Sequence, residues 1–141
     1  MPSKPPRDAS GKIVAHDHPE ILGSHHLIRR ITPKDLHPPD GPSRRISSGA
    51  YSESSDGGMS VDIEEWLLAA GLSALHYITE PSHGAVRINV KKLRDAGFTV
   101  GWDPDGGHPQ HGAVWGIGNG STRRRQIAKM AVSVKKAAGE A

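Results

Sequence analysis

Apolar residues in this chain mostly alternate with polar ones in short runs, and they reach sustained helical spacing only near the end. Val86, Ile88 and Val90 alternate with Arg87 and Asn89. That pattern predicts a strand over 85–90 with one buried and one wet face. His26–Ile31, Phe98–Trp102 and 112–117 are further predicted strands, and Arg45–Tyr51 alternates well enough for another. Met59–Val61 predicts a short strand or an extended entry to a helix. Asp62-Ile-Glu-Glu65 has a capping-box pattern, Ile63, Trp66, Leu67 and Ala70 mark one helical face, and Gly71 is a natural stop. Thr32 before Pro33 predicts a single helical turn over 33–36. Residues 74–78 suit either a strand or a short helix, and 91–96 a short helix ended by Gly97. Ile127, Met130, Ala131, Val134 and Ala138 follow i, i+3, i+4, i+7, predicting an amphipathic helix from Ser121 to about Ala138.

Strands outnumber helices and do not alternate with long ones. The expected fold is α+β: a small mixed or mainly antiparallel sheet, two or three short helices and a C-terminal amphipathic helix. A chain of 141 residues suits one domain. Eight of the eleven prolines precede residue 43, and apolar residues are sparse before residue 25. Residues 1–24 are therefore expected as a disordered tail, with a single domain over 25–141. There is no cysteine, which excludes disulfides, thiolate metal sites and a cysteine nucleophile. The N-terminus lacks the apolar stretch of a signal peptide, and the apolar run Trp66–Ala70 is far too short to span a membrane. A soluble, cytoplasmic protein with no membrane partner is the expectation.

Charge changes this picture at one end. The chain carries a formal +3, but residues 121–141 hold six basic side chains against Glu140 alone. The preceding 120 residues hold twelve basic and fourteen acidic ones. The basic end follows a glycine-rich turn, Gly116-Ile-Gly-Asn-Gly-Ser-Thr-Arg-Arg-Arg125. A helix N-terminus favours anions, so arginines there invite one. Gly118, Gly120, Ser121, Thr122, Arg123, Arg124 and Arg125 are the candidate anion-binding residues, with Ser121 as N-cap. The three arginines fan over about 300° of helix surface, so only one or two can reach a single ligand. The spacing fits neither a P-loop nor a dinucleotide fingerprint. The plain alternative is a tight turn followed by a solvated basic face.

The leading expectation is thus a small binding or accessory protein that recognises a phosphate-bearing partner, a nucleic acid or a phosphorylated ligand. A small hydrolase or transferase is the second expectation, with a pocket near His111, Arg30 and Ser48, and His111 as acid–base group. A His111 that is buried and bonded to a loop carbonyl leaves that second expectation without its acid–base group. A third is a subunit docking on an acidic protein through Lys129, Lys135 and Lys136. Few aromatics argue against a stacking platform for single strands. His108 and His111 have a His-x-x-His spacing near Asp103 and Asp105, but Pro109 breaks any helix that would align them. No metal site and no cofactor is expected. Arg29 or Arg30, Ser47-Ser48, and Glu64 or Glu65 occur in an order that resembles the arginine–serine–glutamate layout of one class of ADP-ribosyltransferases. The Glu-x-Glu turn of that family is missing. Trp66, Trp102 and Trp115 are expected in the core.

Overall fold

A computed structural model describes residues 2–55 and 57–141. Six antiparallel strands form one sheet: β1 (His26–Ile31), β4 (Met59–Ile63), β5 (Gly84–Asn89), β6 (Thr99–Trp102), β7 (His111–Trp115) and β8 (Val132–Lys135). Their spatial order is β6-β7-β4-β1-β5-β8. β2 (Leu36–His37) and β3 (Arg45–Ile46) make a separate two-stranded hairpin. Three helices complete the domain: α1 (Glu64–Ala69), α2 (Val90–Asp95) and α3 (Ser121–Met130). The α+β expectation holds, and every strand pair is antiparallel.

Strand alternation builds the core. Leu27, Ile63, Ile88, Val86, Val100 and Val114 project from one face of the sheet and are buried. Leu93 of α2 and Ile127 of α3 bury fully in the same cluster, and Leu67 of α1 is also fully buried. Each such side chain contributes about 1.5–3 kcal/mol by leaving water. The cap of α2 is local: Asn89 Oδ1 accepts from Lys92 N–H at 3.0 Å. The predicted turn after Thr32 forms a 3-10 turn over Pro33–Asp35 with a Thr32/Asp35 capping box.

Several expectations are corrected. The strand expected over 45–51 stops at Ile46. Ser47 accepts from Gly49 N–H and starts a 3-10 turn over Ser48–Tyr51. Asp62 and Ile63 belong to β4, not to a helix start. Residues 74–78 form turns rather than a strand or helix. The terminal helix ends at Met130. Val132 and Val134 carry a two-residue period, and the chain pairs with β5 as β8. Lys135 therefore sits on an edge strand and Lys136 just after it, so the basic residues do not share one helix face.

In the segment 1–24, expected as a tail, residues 16–18 bond to the β6 margin. Ile21 and His18 are buried. His18 N–H donates to Val100 O at 2.9 Å, Val100 N–H donates to Asp17 Oδ1 at 2.9 Å, and Trp102 N–H donates to His16 Nε2 at 3.1 Å. Arg94 pairs with Asp17, and Arg7 with Asp105. The composition rule fails because satisfied polar groups, rather than apolar area, tie this segment down. Among the described residues, no helix is long and apolar enough to cross a membrane.

Candidate functional site

The second face of the sheet is polar and concave. Its floor is a row of small residues: Ser60 on β4 and Gly101 on β6 both pair with Ala113 on β7. Larger groups stand around that floor. His111 is opposite Asp62 in the β4–β7 register, and Ile28 is opposite Asp62 in the β1–β4 register. Trp115 stands at the other end of β7, four residues from His111.

An opening between β1 and β4 deepens this face. β1 pairs with β5 over six positions but with β4 over only two, Leu27↔Ile63 and Ile28↔Asp62. Beyond them Arg29 fills the gap from below. Its guanidinium donates to Ser60 O at 2.8 Å and to Ala50 O at 2.9 and 3.1 Å. Burial is the main reason its pKa is pulled down. A cavity of about 360 Å³ lies above, lined among others by Arg30, Ser60, Asp62, Tyr77, His108 and His111. A second, of about 370 Å³, is lined by Lys12, Ser60, Asp103, Asp105, His111 and Trp115 among others. They share Ser60, Gly106 and His111 in their walls, so they adjoin as two halves of the groove on this face.

The groups in this groove differ in how free they are. Asp62 Oδ1 lies 2.9 Å from His108 Nε2. His108 Nδ1 accepts from Gln110 N–H at 3.3 Å, which places its proton on Nε2, toward Asp62. Tyr77 stacks on the His108 ring at 3.6 Å. Burial pushes the Asp62 carboxyl up, against the smaller opposing pull of His108. His111 is 7% exposed, and its Nδ1 donates to Asp103 O at 2.9 Å. It is therefore buried and carbonyl-bonded through Nδ1, the outcome set against it as acid–base group, although it lines the groove and, among the described residues, only that one ring nitrogen is bonded. Arg30 is exposed, and among the described residues no salt bridge joins it to a carboxylate.

Of the residues expected for a pocket, the structure brings Arg30 and His111 together and leaves Ser48 out. Ser60 takes the place expected of Ser48, and Asp62, His108 and Tyr77 complete the wall. His108 had a visible signal in the His-x-x-His spacing. Ser60 and Asp62 had none, because only the placement of β4 between β1 and β7 brings them there. The His108 and His111 rings meet edge-on at 5.8 Å, and among the described residues no three His, Asp or Glu side chains gather to hold a metal ion. The arginine–serine–glutamate set is dispersed: Arg29 bonds carbonyls, Glu64 pairs with Arg87, and Glu65 with His26.

The glycine-rich turn is arranged differently from expectation. Gly116 and Ile117 N–H groups donate to Glu53 Oε1 at 3.0 and 2.9 Å. Gly116 has a φ of 99°, which only glycine adopts readily, and this turns the two N–H groups toward one oxygen. The anion held here is the chain's own carboxylate. Gly118 (φ 71°) and Gly120 are exposed, and Gly120 rather than Ser121 is the N-cap, with no side-chain cap on α3. Thr122 is exposed. Arg123 folds back, donating to Ala96 O at 2.8 Å, with its guanidinium 3.9 Å from the Phe98 ring centroid. Arg124 Nε is buried without a partner among the described residues, and Arg125 is exposed. The three arginines thus point to different surroundings, as helical geometry requires.

No protein-family model, curated protein or solved structure matches this chain.

Proposed function

We propose that this protein binds a small anionic ligand, a phosphate or carboxylate compound, in the groove on the open face of its sheet. One observation carries the proposal: Arg30, an exposed guanidinium with no carboxylate partner among the described residues, lines the same cavity as Ser60 and His111. A forked guanidinium is well matched to a planar or tetrahedral oxyanion. The Ser60 hydroxyl supplies a donor beside it. Asp62 lines the same cavity as an opposing charge, and its engagement with His108 limits its repulsion of a ligand. The glycine-rich turn supports anion binding less well, because Glu53 and the folded-back Arg123 already use its groups. The proposal stops at binding, since both nitrogens of His108 and one of His111 are bonded within the fold.

The test is a titration with inorganic phosphate and acetate, followed by amide shifts in two-dimensional NMR. The shifts should gather at Arg30, Ser60 and 106–111, and Arg30→Ala should remove them. An Arg123→Ala/Arg125→Ala variant should bind as the parent does. If that double variant loses binding while Arg30→Ala keeps it, the site belongs to α3 and the groove proposal is wrong. Docking of a nucleic acid or acidic protein on Arg125, Lys129 and Lys136, all exposed, would give that second outcome.

A further inference from the structure

The two halves of the groove differ in chemistry, and the difference selects a ligand with two unlike ends. The half between β1 and β4 offers Arg30. The other half has an indole wall, Trp115, and two carboxylates, Asp103 and Asp105. Trp115 is half-buried. It stands over Gly101, where an added Cβ would come within 2.6 Å of Trp115 Cζ3. His16 packs against the indole at 5.2 Å, which helps to fix it. Asp105 is committed to Arg7; Asp103 is half-buried at the groove wall with its Oδ2 3.5 Å from His111 Nδ1, and its carboxylate keeps acceptor capacity for hydroxyl donors. Arg7 offsets Asp105 and Lys12 also lines the indole half, so a phosphate is favoured in the other half by Arg30, which has no carboxylate partner among the described residues.

The span fits one small molecule. Trp115 and Arg30 lie on strands two apart, about 10 Å at the usual strand spacing, and roughly one pleat apart along the strands. Both residues belong to the groove face of the sheet, with Ser60 and Ala113 on that same face. The remaining gap suits a ring joined to a phosphate through a hydroxyl-bearing linker.

We infer that the groove takes a nucleoside monophosphate, its base against Trp115, its ribose hydroxyls toward Asp103 and its phosphate on Arg30 and Ser60. This rests on the reading of the groove as an anion site and adds the ring and sugar to it. Base stacking on an aromatic side chain tightens binding by about tenfold or more.

The test is calorimetry on the full chain with each of the four ribonucleoside 5′-monophosphates, with the free nucleosides and with inorganic phosphate. At least one nucleotide should bind about tenfold more tightly than phosphate and than its own nucleoside. Trp115→Leu should remove the advantage over phosphate while phosphate binding persists. Trp115→Phe, which retains a ring, should keep most of it and guards against a folding defect in the leucine variant. If phosphate binds through Arg30 but no nucleotide exceeds it, or if the advantage survives Trp115→Leu, the nucleotide inference is wrong and the anion site stands. If Arg30→Ala leaves phosphate and nucleotide binding unchanged, both fail together.

Discussion

Glu53→Ala removes the one carboxylate that the glycine-rich turn holds. Glu53 Oε1 accepts from both Gly116 and Ile117 N–H, and Ile117 is buried. A hydrogen bond to a charged group contributes about 1.5–3 kcal/mol when well shielded. Gly116 is exposed and Glu53 half-buried, so water replaces part of the lost interaction. The pair together should then contribute about 2 kcal/mol. For a chain of this length that corresponds to a fall in Tm of roughly 6–8 °C. Glu53→Gln keeps an oxygen acceptor but loses the charge, and a neutral bond is about half as strong. It should cost about 1 kcal/mol. Thermal unfolding followed by circular dichroism on the three proteins measures both steps. A further arm adds phosphate. If the vacated turn accepts an external anion, phosphate should raise the Tm of the alanine variant more than that of the parent, which controls for general salt effects. A Glu53→Ala protein within about 1 °C of the parent would refute the idea that this carboxylate holds the turn.

Other outcomes follow from the same structure. Burial raises the Asp62 carboxyl above its ordinary value of 3.8, so the folded state binds that proton more tightly than the unfolded state. Its contribution is fully present below 3.8 and is lost as pH rises through the raised folded value. Urea midpoints should therefore fall for the parent relative to Asp62→Asn as pH rises from about 3 to 6, and a pH-independent difference would count against it. Asn89→Ala removes the cap of α2 and should cost about 1 kcal/mol in urea unfolding. Gly101→Ala places a methyl group against Trp115 and His16 and should cost about 1–3 kcal/mol. Proteolysis of that variant should show the segment before residue 24 cut faster than in the parent.

β1, β5, β6 and α2 were legible because each has one clean period or a local boundary signal, such as Gly97 after α2; the Asn89 cap, read as a strand position, was not. β8 was not. Val132 and Val134 sit two apart, yet Ile127, Met130, Ala131 and Val134 also satisfy helical spacing, and no glycine or proline separates the two elements. Pairing with β5 decided between them, and that is a tertiary effect. The N-terminal segment misled through composition, since a few bonded histidines and Ile21 do what a larger apolar area usually does. In the groove, Arg30 and His111 were visible as residues of suitable chemistry. Their meeting with Ser60 and Asp62 depends on strand order, which no local pattern along the chain encodes.

The margins of the six-stranded sheet are unequal. Backbone groups of β6 are engaged by the chain's own residues 16–18, whereas among the described residues nothing pairs with the outer side of β8. Strand addition can therefore proceed from one margin only. Two copies meeting there would seal each other and stop, because neither offers a second open margin for the next copy. The sheet is thus built as a terminated ribbon: a pair is the largest assembly that edge-to-edge growth permits. Any change that loosens residues 16–18 from β6 would turn a closed system into one that can propagate.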